Sequence, residues 1–216
     1  MILAEPTTLR RRLVVAITVA CGTVLLWWSL ALTPGDPLFY VGALALAAVW
    51  VIGALTSGRL RWRPEDPDGV RSFALWRPVG IGLALLAVFC AGALLVAQVP
   101  ALATPVQNLL DHARYGFLPV VLVITVVSGF AEELFFRGAL FQAIPDRYAV
   151  WLSTALYALT TVGSGVSLLV FAAAVLGLVC SLYRRATGGV LGAAVIHIIW
   201  SSGMLLLLPP LLERLI

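Results

Sequence analysis

The sequence predicts an all-α protein, a polytopic bundle of about seven transmembrane helices with a cytoplasmic N-terminus. Three observations predict it. Of 216 residues, 62% are hydrophobic and 11% charged, with a mean hydropathy of +1.05, against roughly 25% charged in an ordinary soluble domain. The apolar residues are gathered into runs of about 20, the length a helix needs to cross hydrocarbon, where only helices or closed barrels satisfy their own backbone. All fourteen basic residues are arginine, and they cluster at the ends of the apolar runs.

The first span is read at 13–32, directly after Arg10-Arg11-Arg12. At about 20 residues it exceeds the roughly 7–15 of a signal-peptide core, and no small-x-small cleavage site follows it, so it is expected to stay as a membrane span. The second is read at 38–56. A loop over 57–77 then carries the basic patch Arg59-Leu-Arg61-Trp-Arg63 and the turn-rich Pro-Glu-Asp-Pro-Asp-Gly, which reads as a headgroup-anchoring segment.

The third span is read at 78–99. After it, Val106, Leu109, Leu110 and Ala113 recur at helical spacing among polar neighbours that include His112, which predicts a short amphipathic helix over 102–114 in the outer interface. The fourth span is read at 117–136, with 148–163 and 166–183 as the fifth and sixth. The breaker Thr160-Thr161-Val162-Gly163-Ser164-Gly165 splits what would otherwise be about 36 residues, too long for one crossing at about 1.5 Å per residue, into a hairpin. The seventh is read at 189–208, where Gly188-x-x-x-Gly192 is the spacing of close helix packing.

With the N-terminus inside, the inner segments hold Arg10, Arg11, Arg12, Arg59, Arg61, Arg63, Arg71, Arg77, Arg137, Arg147, Arg184 and Arg185, and the outer ones only Arg114 and Arg214. That asymmetry follows the positive-inside rule. It also makes the net charge of +4 a matter of topology, not of nucleic-acid binding. Cys21, Cys90 and Cys180 lie within apolar runs and act there as small hydrophobes. No internal repeat or polar linker divides the chain, so residues 1–216 are read as a single multi-pass domain of the cell membrane. Its expected partners are lipid and a membrane-associated protein or peptide.

The fourth span contains Glu132-Glu133-x-x-x-Arg137. An ionisable residue near the bilayer centre costs on the order of 2.5–3.5 kcal/mol on insertion scales, so three within six positions require compensation. Residues i and i+4 share a helix face while neighbours differ by about 100°. Glu133 and Arg137 can therefore pair, leaving Glu132 free on another face. A free carboxylate in a low-dielectric surrounding suits a general base that activates water. The same three residues also suit an ion-pair cluster that locks helices together.

Ala-Glu-Glu-Leu-Phe-Phe-Arg-Gly, residues 131–138, resembles the first motif of the CAAX-protease and bacteriocin-processing family of intramembrane proteases, and the resemblance extends over about 117–208. It implies an endopeptidase acting on membrane-associated or prenylated-type substrates. By resemblance, Glu132 activates the attacking water and Glu133 with Arg137 supports it. The family's second motif, phenylalanine followed four residues later by histidine, meets Tyr157 and Thr161 here. Its third, histidine followed four residues later by asparagine, meets His197 and Ser201. The site residues implied are thus Glu132, Glu133, Arg137, Thr161, His197 and Ser201.

A catalytic zinc usually takes three protein ligands, and of the two histidines only His197 lies in a span that reaches the glutamates, which sit toward the inner end of theirs. Glu132, Glu133 and His197 are the one set available to a zinc ion, and using both glutamates leaves neither as base nor as partner for Arg137. A glutamate-and-histidine mechanism without a cofactor is therefore favoured, with a zinc ion on those three residues as the alternative. Two other functions fit the same residues: a non-catalytic relative acting as a membrane scaffold or immunity protein, and an ion-coupled transporter, since buried carboxylates also mark ion pathways.

Overall fold

The computed structural model describes residues 8–62 and 74–213. Arg63, Arg71 and Arg214 of the charge count, and the turn-rich part of the 57–77 loop, lie outside them. The described residues are helical throughout, without strands: α1 (Thr8–Leu30), α2 (Leu38–Thr56), α3 (Trp76–Val96), α4 (Pro100–Arg114), α5 (Leu118–Glu133), a π-helical stretch (Leu134–Leu140) running into α6 (Phe141–Ala143), α7 (Asp146–Thr160), α8 (Ser167–Thr187) and α9 (Leu191–Glu213).

Among the described residues, six helices are long and apolar enough to cross a membrane: α1, α2, α3, the continuous segment Leu118–Ala143, α8 and α9. The remaining expected span, 148–163, is the fifteen-residue α7. At about 1.5 Å per residue it rises about 22 Å, short of the roughly 30 Å of hydrocarbon. It ends at Thr160 and Thr161, whose hydroxyls bond to the carbonyls of Tyr157 and Ala158, both at 2.7 Å, and the chain then makes one 3₁₀ turn, Val162–Ser164, before Gly165 at φ 70°. The fourth span, in contrast, runs seven residues beyond its expected end at 136, so Glu132 and Glu133 lie near its middle instead of toward its inner end.

The extension begins with the π-helical stretch, where Arg137, expected in an inner segment, is instead fully buried and paired. A π turn misaligns carbonyls from the usual i→i−4 ladder, and inside a membrane they need other donors. Phe136 O accepts from Ser153 Oγ at 3.0 Å, Arg137 O from Arg184 Nε at 2.9 Å and Gly138 O from Gln142 Nε2 at 2.9 Å. Side chains from α7 and α8 thus hold open the turn that carries Arg137.

Helices α1 and α2 pair, α2 packs on α5, α5 on α9, and α9 on both α3 and α8, with α7 against α8. Trp50 of α2, 1% exposed, lies against Phe135 and Phe136 with ring centroids 4.9 and 5.0 Å away. This aromatic cluster closes the centre of the bundle beside the glutamates. Val106 and Leu110 of α4 pack on Ala93, Ala97, Leu208 and Leu212, so its apolar face covers the ends of α3 and α9. The side chain of His112 falls outside the described residues. Gly188, expected to pack within the last span, instead ends α8 in the left-handed region at φ 79°, its N–H on Arg184 O. Gly192 alone makes the close approach, against the ring of Tyr183.

Candidate active site

The i, i+4 spacing of Glu133 and Arg137 survives the π turn. Arg137 Nη1 donates to Glu133 Oε1 at 2.9 Å, and both side chains are fully buried. Arg137 Nη2 donates to Gly177 O of α8 at 3.0 Å, and the guanidinium lies 4.7 Å from the centroid of the Tyr157 ring, a cation–π contact. Glu133 Oε1 also meets His197 Nδ1 of α9 at 2.8 Å. Because Glu133 faces Arg137, its carboxylate is the acceptor here and Nδ1 the donor; in the neutral tautomer with that proton, Nε2 is the acceptor turned toward Glu132.

Glu132 sits one residue earlier, about 100° round the helix, and its side chain keeps 21% exposure. It lines a cavity of about 350 Å³. Tyr157 OH donates to Glu132 Oε2 at 2.7 Å, and His197 Nε2 stands 3.9 Å from the same oxygen, a separation at which one water can lie within hydrogen-bond distance of both. Thr160, Thr161, Trp200 and Ser201 line the same cavity. The threonine hydroxyls donate to their own helix and Ser201 Oγ to Ile198 O at 3.4 Å, which leaves their oxygens as acceptors.

The six residues singled out from sequence therefore fall in two groups. Glu132, Thr161, His197 and Ser201 line one cavity, while Glu133 and Arg137 lie behind it and fix His197. Tyr157 stands at the phenylalanine position of the second motif, yet its hydroxyl is the closest hydrogen-bond partner of Glu132; the legible signal is a phenolic oxygen where the family's motif has none. Arg184 and Gly177, which hold the backbone and guanidinium of Arg137, carried no signal, because their contacts span 47 and 40 residues.

The donor set does not fit a zinc ion. Glu133 and Glu132 sit on opposite nitrogens of His197, so one ion reaches only Glu132 Oε2 and His197 Nε2, and Glu133 Oε1 is already shared by Arg137 and Nδ1. Among the described residues no group of three or more His, Cys, Asp or Glu is placed to hold a metal.

A family comparison adds a likeness to this geometry. Residues 114–203 match the Rce1-like family, described as type II CAAX prenyl endopeptidase Rce1-like. This stretch is Rce1-like. It runs from the end of α4 into α9 and includes all six site residues, close to the 117–208 expected from the motifs. At family level the likeness is to CAAX-type intramembrane endopeptidases, and with six membrane-length helices it makes the chain a multi-pass membrane protein. Neither the curated proteins nor the solved structures returned a match. Within the Rce1-like stretch, the departures at Tyr157, Thr161 and Ser201 all face the Glu132 cavity.

Proposed function

We propose that the protein is a CAAX-type endopeptidase of the cell membrane that hydrolyses a peptide bond of a membrane-associated substrate, with Glu132 as general base. The observation that carries this reading is the partly exposed Glu132 carboxylate beside His197 Nε2 in a cavity walled by hydroxyls. Water held between the two gives a proton to Glu132 while its oxygen attacks the peptide carbonyl, whose π electrons move to the oxygen. The tetrahedral intermediate collapses as the C–N bond breaks, and the amine nitrogen takes the proton back from Glu132. Glu133, held by Arg137, keeps His197 in the tautomer that presents Nε2.

Tyr157 acts as a positioning residue: its hydroxyl fixes the rotamer of Glu132. Tyr157→Phe removes a hydrogen bond to a charged group, worth about 1.5–3 kcal/mol, and is expected to lower kcat by about tenfold or more with KM little changed. A shift confined to KM in steady-state assays would assign the hydroxyl to substrate binding instead.

An apolar groove of about 430 Å³ between α3, α4, α8 and α9, walled by Phe89, Val96, Phe171 and Met204 among others, shares Leu109, Leu169 and Trp200 with the Glu132 cavity. Its chemistry suits the apolar chain of a prenylated-type substrate whose peptide reaches Glu132. The test is cleavage by the reconstituted protein of two matched peptides, one prenylated, followed by product mass. Both are expected to be cut, the prenylated one at a KM lower by roughly tenfold or more, the equivalent of burying about two methylenes. Absence of product from either peptide overturns the reading in favour of a non-catalytic scaffold, which the Thr161 and Ser201 replacements would then mark.

A further inference from the structure

The two ends of the bundle differ in charge and in closure. At one end stand Arg10, Arg11 and Arg12 of α1, Arg59 and Arg61 after α2, Arg77 of α3, Arg147 of α7 and Arg185 of α8. Contacts between chain segments confirm that these termini share one face: Arg11 Nε donates to Ser57 O at 3.1 Å, and Val190 N to Trp62 O at 3.1 Å. The opposite face is formed by the turn after α1, the helix α4 and the turn between α7 and α8. There Trp27 Nε1 donates to Thr160 O at 2.7 Å, and Phe117 N to Tyr40 OH at 3.1 Å. Arg114 is the one arginine on this face among the described residues.

The Glu132 cavity extends toward that second face. Along α5 its wall runs from Glu132 through Ser128 and Thr125 to Val121, each step one turn nearer the N-terminus of the helix, and it is completed by the end of α1 at Ser29 and Leu30 and the start of α2 at Phe39. A second cavity of about 520 Å³, lined by Pro34, Asn108, Asp111 and Ser164, shares Leu30 and Leu109 with it and supplies a polar mouth. Toward the arginine-rich face the way is shut. Glu133, Phe135, Phe136, Arg137 and Cys180 are fully buried, Trp50 is 1% exposed, and Arg184 is tied to Arg137 O.

We infer that water and substrate reach Glu132 from the arginine-poor face, which the positive-inside rule makes the non-cytoplasmic one. The substrate class follows: a peptide segment exposed on, or anchored by an apolar group in, the non-cytoplasmic leaflet. This deepens the protease reading of the cavity by naming the side its substrate comes from, and it contradicts the inner-side placement of the glutamates expected from sequence.

Substituted-cysteine labelling tests it without requiring cleavage, so its outcome is separate from that of the protease reading. Single variants Ser128→Cys in the cavity wall, Tyr115→Cys on the arginine-poor face and Arg185→Cys on the arginine-rich face are treated, in sealed vesicles of each orientation, with a membrane-impermeant charged methanethiosulfonate. The unaltered chain gives the background of Cys21, Cys90 and Cys180. Ser128→Cys is expected to be labelled from the side that labels Tyr115→Cys and not from the side that labels Arg185→Cys. Thr125→Cys serves as a second cavity reporter if Ser128→Cys does not fold. Labelling of the cavity cysteine from the Arg185 side, or from neither side, overturns the inference.

Discussion

Arg137→Ala is expected to destabilise the protein by about 3–5 kcal/mol, the cost of breaking a buried ion pair by removing one partner. Three helices depend on this side chain: Nη1 holds Glu133 on α5, Nη2 satisfies Gly177 O on α8, and the guanidinium covers the Tyr157 ring on α7. Truncation leaves the Glu133 carboxylate buried with only the His197 N–H against it. Both partners are fully buried, so the carboxylate loses the donors that offset its desolvation. Arg137→Lys keeps the charge but loses the planar fork that serves Glu133 and Gly177 together, and its loss should fall between wild type and alanine. The midpoint of thermal unfolding in lipid or mild detergent checks both variants. An unchanged midpoint for Arg137→Ala would mean that the pair does not hold the bundle.

The features of the fold that depend on chain-local chemistry were readable in advance. Apolar run length fixed six of the expected spans to within a few residues at most ends, and the spacing of Val106, Leu109 and Leu110 marked α4. The site was legible to the same depth, because the i, i+4 relation of Glu133 and Arg137 and the 100° offset of Glu132 are properties of any helix. What sequence did not reveal depends on contacts distant along the chain. The π-helical stretch after Glu133 is held by Ser153 and Arg184, and the expected end at 136 left Arg137 outside a span in which it is buried and paired, which misplaced the glutamates in depth. The helix α7 ends at Thr160, before a 3₁₀ turn at Val162–Ser164 that hydropathy does not register. Tyr157 stood only as the aromatic at the second motif's phenylalanine position, because nothing local places its hydroxyl 2.7 Å from a carboxylate 25 residues away.

Glu132→Gln is the measurement that bears most directly on the function. Glutamine matches the size of the native side chain, and its amide oxygen still accepts from Tyr157, so the cavity and the Glu133–Arg137–His197 cluster behind it are kept. What is lost is the ability to take a proton from water, and positioned acid–base groups contribute about 10²–10⁴-fold to rate. Purified, reconstituted wild-type protein should cleave a membrane-associated peptide, and Glu132→Gln should lower kcat/KM by about 10³-fold with the unfolding midpoint unchanged. Equal turnover by the two proteins at equal stability would contradict the assignment of Glu132 as the base.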